Sequence, residues 1–245
     1  MARLPRLSLP GQLHHVLLRG TGGQQVCTDD EDRQLLKALL AQHAPENGLE
    51  LHAWALMPDH IHLLLTPRSV EHAGDAAAHA PGLSAFMQAV GRAYVLAFNR
   101  RHGRRGGLWE GRYRSTVLEV EPWLLRAMVW IDTHPQRSGY LAQGAALAHP
   151  WVSAAHYLGQ VHDKSLTVPA AYWALANTPF AREAAYRTLL EHGSAPSHAA
   201  ALTEASLKGW VLGRADFVAG LQLNTGRRLH KAHPGRPAGS GRVQP

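Results

Sequence analysis

The spacing of apolar positions changes several times along the chain, and each change marks an element. His15 to Arg19 is a short apolar run ended by Gly20-Thr21-Gly22-Gly23, which predicts a strand running into a turn. Asp29 and Asp30 can cap a helix carrying Leu35, Leu36, Leu39 and Leu40 at helical spacing, with Pro45 and Gly48 to stop it. Leu49, Leu51, Ala53, Ala55 and Met57 alternate as in a half-buried strand. Pro58-Asp59 then makes a turn and His60 to Leu65 returns as its hairpin partner. Residues 69–82 read as a loop, and Leu83, Phe86, Met87, Val90, Tyr94 and Phe98 mark one face of a helix. Thr116 to Val120 reads as another strand. Pro122 suits the first turn of a helix reaching about Thr133 and ended near Pro135. The order strand, helix, strand, strand, helix, strand, helix predicts an α+β fold, an antiparallel sheet with helices packed on it.

Beyond Gly159 the pattern becomes helical over 169–192 and 199–221, interrupted by Pro179, Gly193 and Pro196. This divides the chain into a unit over 1–160, an accessory helical region over 161–225 and a basic Gly/Pro-rich tail over 226–245 expected to be disordered. No stretch approaches the ~18 apolar residues of a membrane span, and the N-terminus lacks the apolar core of a secretory signal. A cytoplasmic protein without a membrane partner is expected. The single cysteine, Cys27, excludes an internal disulfide and a multi-thiolate zinc site.

Charge sharpens the picture. The formal net charge is +7, and seven arginines (92, 100, 101, 104, 105, 112 and 114) stand against one acid, Glu110, between Arg92 and Arg114. Tyr94, Phe98, Trp109 and Tyr113 are threaded among them. Guanidinium forks suit phosphates and aromatic faces suit unstacked bases, so the mixture favours a single-stranded nucleic-acid surface over a solvated helix end.

In Met57-Pro58-Asp59-His60-Ile61-His62-Leu63-Leu64-Leu65 the two histidines lie two apart on a strand and share a face. Such a pair can ligate one divalent cation. With 17 histidines in 245 residues chance pairs are expected, so spacing alone leaves metal binding and simple burial equally open. His14-His15 forms another pair, but its members point to opposite faces and are poorly placed to chelate.

Taken together, Ala2-Arg3-Leu4-Pro5-Arg6, Pro10-Gly11, His14-His15-Val16 with Arg19-Gly20, Met57 to Leu64, and Gly107-Leu108-Trp109-Glu110-Gly111-Arg112-Tyr113 resemble the REP-associated tyrosine transposases. These are single-tyrosine members of the HUH nucleases, and the resemblance covers roughly residues 1–160. Gly209 to Gly213 and Thr225-Gly226-Arg227-Arg228 resemble the C-terminal extension of related sequences. The resemblance implies a ferredoxin-like fold that binds and cuts single-stranded DNA at hairpin-forming elements. It also implies Mg²⁺ or Mn²⁺ held by the histidines, a tyrosine nucleophile on the helix after the last strand, and a further polar ligand one turn later. Trp109, Arg112 and Tyr113 are assigned to DNA contact or to fixing their loop.

Against the family pattern Tyr-Ile-x-x-Asn-Pro, this chain has Trp130-Ile131-Asp132-Thr133-His134-Pro135. The nucleophile position is Trp130, whose indole has no ionisable oxygen and cannot attack phosphorus. The ligand position is His134, which with His60 and His62 would form a three-histidine set able to accept Zn²⁺ as well. A DNA-binding protein impaired in strand transfer is therefore expected. The alternative is a nuclease using another nucleophile (Tyr94, Tyr113 or Tyr140) or a metal-activated water. Asp59 is a candidate to orient a histidine; Glu110 and Asp132 are candidates to assist a water. The three imidazoles are expected to meet beside an arginine-lined trough.

Overall fold

The computed structural model describes residues 7–69, 82–142 and 149–231. Four strands, β1 (Leu13–Arg19), β2 (Leu49–Leu56), β3 (His60–Pro67) and β4 (Arg114–Leu118), form one antiparallel sheet in the order β2-β3-β1-β4. Between them run α1 (Asp30–Glu46) and α2 (Gly82–Arg101); α3 (Val120–Asp132) follows β4. This is the expected α+β, ferredoxin-like arrangement. The chain continues through α4 (His134–Arg137), α5 (Ala154–Tyr157), α6 (Ala170–Trp173), α7 (Pro179–His192), α8 (Pro196–Lys208) and α9 (Ala215–Leu223).

Helices cover both sheet faces. On one, Val16, Leu18, Ile61, Leu63 and Leu65 pack against Leu36 and Leu40 of α1 and Phe86, Val90 and Phe98 of α2. On the other, Leu13, Ala53, Ala55, Leu64 and Leu118 meet Leu124, Met128 and Ile131 of α3, with Tyr172, Tyr186, Leu190 and Leu202 from α6, α7 and α8 behind them. The residues beyond 160 thus share a core with α3. Pro179 and Pro196 open α7 and α8, where a missing N–H costs nothing.

β2 departs from the half-buried strand its alternation predicts. The pairing shifts between Leu51 and Ala53, leaving His52 as an extra residue, so Leu51 faces α1 and α2 while Ala53 faces α3. The expected β4 ends two residues early, at Leu118, which bridges Leu212, and Val120 opens α3 instead. Pro122 therefore lies inside the first turn of α3, where no N–H is yet required. The tail expected to be disordered from 226 begins as packed chain: Leu229, buried with Val117 and Val211, accepts from the Val211 N–H at 2.9 Å. The family-like start at residues 1–6, the loop over 70–81 and the tail from 232 lie outside the described residues.

Candidate metal centre and nucleic-acid interface

His60 and His62 project from β3 onto the face covered by α3. α3 ends at Asp132, Thr133 leaves helical geometry, and His134 opens α4, which turns its ring back toward the sheet. His134 Nε2 lies 2.8 Å from His60 Nε2, and the His62 and His134 ring centres are 4.4 Å apart. One ligand nitrogen from each of the three histidines lies within 4.8 Å of the others.

A fourth histidine joins them. His14 turns away to the Gln12 carbonyl, but His15 stacks on His62 at 5.1 Å with Nε2 2.9 Å from His62 Nδ1. Opposite faces argued against His14-His15 as a chelating pair and concealed that one member alone would reach the site. The signal that could have found it is cross-strand: β1 pairs Leu17 with His62, so His15 is the diagonal neighbour of His62 on the same face.

Hydrogen-bond partners fix the protons. Asp59 Oδ1 lies 2.6 Å from His60 Nδ1; a carboxylate only accepts, so that nitrogen carries the hydrogen and Nε2 keeps its lone pair. Asp59 thereby orients His60 from a half-exposed turn position. His62 Nε2 is buried without a partner. His134 Nδ1 faces Arg137 Nη2 at 3.1 Å; guanidinium only donates, so in this arrangement Nε2 carries the hydrogen and donates to His60. Burial lowers all three imidazole pKa values, assisted at His62 by neighbouring His134 and at His134 by His60 and Arg137. Neutral imidazole is the ligating form, and an orphaned buried nitrogen at the centre suits a cation. The donors therefore fit a divalent ion, with two preset and His134 required to give up its Nε2 hydrogen.

Trp130 is only 4% exposed and presents its ring edge-on to His15 and His62 at 5.3 and 5.1 Å. The Arg137 guanidinium lies 4.4 Å above the indole and donates to the Trp130 carbonyl at 2.5 Å. The three candidate tyrosines are placed elsewhere. Tyr94 donates to the Val26 carbonyl, the Tyr113 hydroxyl meets Ser84, and Tyr140 lies edge-on to His149. Asp132, a candidate for water activation, points away from the histidines and accepts from Ser153 Oγ at 2.6 Å and the Tyr186 hydroxyl at 2.7 Å. Burial pushes its pKa up to about 7 against those hydrogen bonds. Glu110 is exposed.

The arginine stretch lies mainly on α2 and the turn after it, across the sheet from the histidines. Arg92 and Trp109 line a groove with Met87, Gly91 and Asn99. Trp109 stacks on Tyr94 at 5.8 Å. Arg100, Arg105 and Arg112 are exposed. Arg101 is a correction to the unopposed charge read from the stretch itself: Asp29, Glu31 and Asp32 at the start of α1 pair with it at 2.6, 2.8 and 2.7 Å. Arg104 donates to Gln24 Oε1 at 2.6 Å and Arg114 to the Leu207 carbonyl at 3.1 Å. The cations beside the histidines lie outside the arginine stretch: Arg137, which meets His134, and Arg19, the register partner of His60. The stretch reaches that end of the sheet only through its turn, where Gly20 bridges Trp109 and the Glu110 N–H donates to the Arg19 carbonyl.

The sequence profile of the family described as "Transposase IS200 like" matches residues 11–123, a span that holds β1 to β4, His60 and His62. The matched span is 113 of the 245 residues, so the likeness to the IS200-like transposases is one of this part of the chain. The match stops seven residues before Trp130, so the readings of Trp130 and His134 rest on the motif and on their position against the two strand histidines. Among solved structures, a REP-associated tyrosine transposase bound to a REP hairpin is 15% identical with a TM-score of 0.52, over 69% of this chain and 93% of that one. Over that span the two share the same fold. A protein from Deinococcus radiodurans R1, described as a proposed transposase, is 27% identical over 57% of this chain and 93% of its own, with a TM-score of 0.33. A search of curated proteins finds no match. No helix among the described residues is long and apolar enough to cross a membrane.

Proposed function

We propose that this protein is a member of the IS200-like transposases that binds single-stranded or hairpin DNA and holds a divalent cation on His60, His62 and His134, and that it does not transfer strands through residue 130. The observation that carries the reading is the position of Trp130. Its indole stands against His15 and His62, where the family motif puts the attacking phenol, and it offers no oxygen to phosphorus. A bound Mg²⁺, Mn²⁺ or Zn²⁺ would polarise a phosphate oxygen as a Lewis acid. Arg19 and Arg137 supply positive charge at the same end of the sheet. Exposed Arg100, Arg105 and Arg112, with Arg92 and Trp109 at the α2 groove, give a more distant basic surface for the strand. Support for the partner also comes from the fold, which in the REP-associated transposase holds a REP hairpin.

The test is one gel. Labelled single-stranded DNA carrying a hairpin is incubated with the purified protein and Mn²⁺, then resolved under native and denaturing conditions. A native shift without an SDS-resistant adduct or shortened DNA is expected. An adduct would show that another side chain serves as nucleophile, and shortened DNA without adduct would show attack by water; either result rejects the binding-only reading.

A further inference from the structure

A row of polar groups runs from α8 into the histidine cluster. Ser206 donates its hydroxyl hydrogen to the Leu202 carbonyl at 2.6 Å, one turn earlier in α8. Its oxygen lies 2.7 Å from His15 Nδ1, and His15 Nε2 lies 2.9 Å from His62 Nδ1. Ser206, His15 and His62 are 3%, 1% and 2% exposed. α8 is itself held on β4, where Thr116 Oγ1 donates to the Ala205 carbonyl at 2.8 Å.

A neutral imidazole has one donor nitrogen and one acceptor, so the first link decides the rest. With the Ser206 hydrogen given to Leu202, His15 donates from Nδ1 and accepts at Nε2. His62 then donates from Nδ1, and its Nε2 is a bare lone pair. That nitrogen is the buried, unpartnered one, on a ring whose centre lies 5.0 Å from that of His60 and 4.4 Å from that of His134. The reverse run of hydrogens would leave a His62 N–H buried with no acceptor, a rarer and more costly orphan than a lone pair.

We propose that Ser206 and His15 are positioning residues that set the tautomer of His62 and hold its Nε2 as a ligand atom, giving the C-terminal helices a part in the metal centre. The proposal rests on the cation reading above. It also departs from the view of residues 161–225 as merely accessory, because the chain of hydrogen bonds starts there.

The test uses full-length protein. Long-range ¹H–¹⁵N spectra of the metal-free protein should show His62 protonated on Nδ1; protonation on Nε2 overturns the proposal. In calorimetric titrations with Zn²⁺ and with Mn²⁺, Ser206→Ala should weaken binding about ten-fold and Ser206→Thr, which keeps the hydroxyl, should restore it to within about three-fold of wild type. Unchanged affinity in Ser206→Ala, or no rescue by Ser206→Thr in a folded protein, overturns it. If Ser206→Ala fails to fold, the wild-type tautomer and the Ser206→Thr titration decide. A wild-type protein that binds neither ion yet shows Nδ1-protonated His62 overturns the cation reading and leaves the hydrogen-bond chain standing.

Discussion

At the scale of single residues the centre is decided by what each ring can give or accept. Trp130 packs as an indole beneath Arg137 and leaves its Nε1 buried without a partner, so the ring fills space without completing a network. Trp130→Tyr puts a phenol at that position with a smaller ring and a loss of about 1–3 kcal/mol in stability. If the missing oxygen is the only defect, the variant forms an SDS-resistant adduct with hairpin DNA in Mn²⁺, and a folded Trp130→Tyr that forms none places the defect in strand access. Arg137 opposes a cation in two ways: its own charge, and its donation to His134 Nδ1, which keeps a hydrogen on the nitrogen that should ligate. Arg137→Met is expected to tighten Zn²⁺ binding about ten-fold, or ~1.4 kcal/mol. Calorimetry with the folded variant checks this, and weaker binding would mean that Arg137 holds His134 in place for the ion.

At the scale of elements, the start of α1 shows how a local pattern and a distant partner combine. Asp29 caps the helix by accepting from the Asp32 N–H at 3.0 Å, as its position before the leucine pattern suggests. Burial opposes ionisation of Asp32, but hydrogen bonds from Thr28, His102 and Arg101 overcome it and hold its pKa down to about 2. The folded value lies below the unfolded one, so the contribution, about 2 kcal/mol, is complete above pH ~4 and is lost as pH falls through the folded value. Asp32→Asn should therefore be less stable than wild type in urea at pH 7, with the gap closing between pH ~4 and pH ~2; a constant gap would assign the loss to packing. The same pairs explain why the arginine stretch was misread. Helix α1 and its cap are legible because capping and leucine spacing are local. The acids that neutralise Arg101 lie about seventy residues earlier, and only the packing of α1 beside α2 brings them together. His60 and His62 were legible for the first reason and His15 was missed for the second. The β2 alternation misled because one extra residue, His52, exchanges faces for everything after it.

At the scale of the whole molecule, the sheet needs both of its covers. A ferredoxin-like unit ending near residue 160 keeps α1, α2 and α3, but Tyr172, Tyr186, Leu190 and Leu202 come from later helices and are buried with Leu124 and Met128. At ~1.5–3 kcal/mol for each buried side chain, those four account for roughly 6–12 kcal/mol, which is comparable to the total stability of a typical domain. Tyr186 also supplies a hydrogen bond to buried Asp132, whose loss would leave that carboxyl short of a donor. A chain ending at residue 160 is thus expected to lose near-ultraviolet circular dichroism and cooperative melting and to bind a hydrophobic dye, although the sequence pattern marks 1–160 as a unit. A cooperative melt within a few degrees of the full chain would show instead that the α1–α2 layer stabilises the sheet alone. The metal centre gives a second measurement on the same truncation. Without α8, His15 Nδ1 has no hydroxyl to meet, so even a truncated chain that folds should bind Zn²⁺ more weakly than the full chain, whereas loss of cover elsewhere on α3 would leave the affinity unchanged.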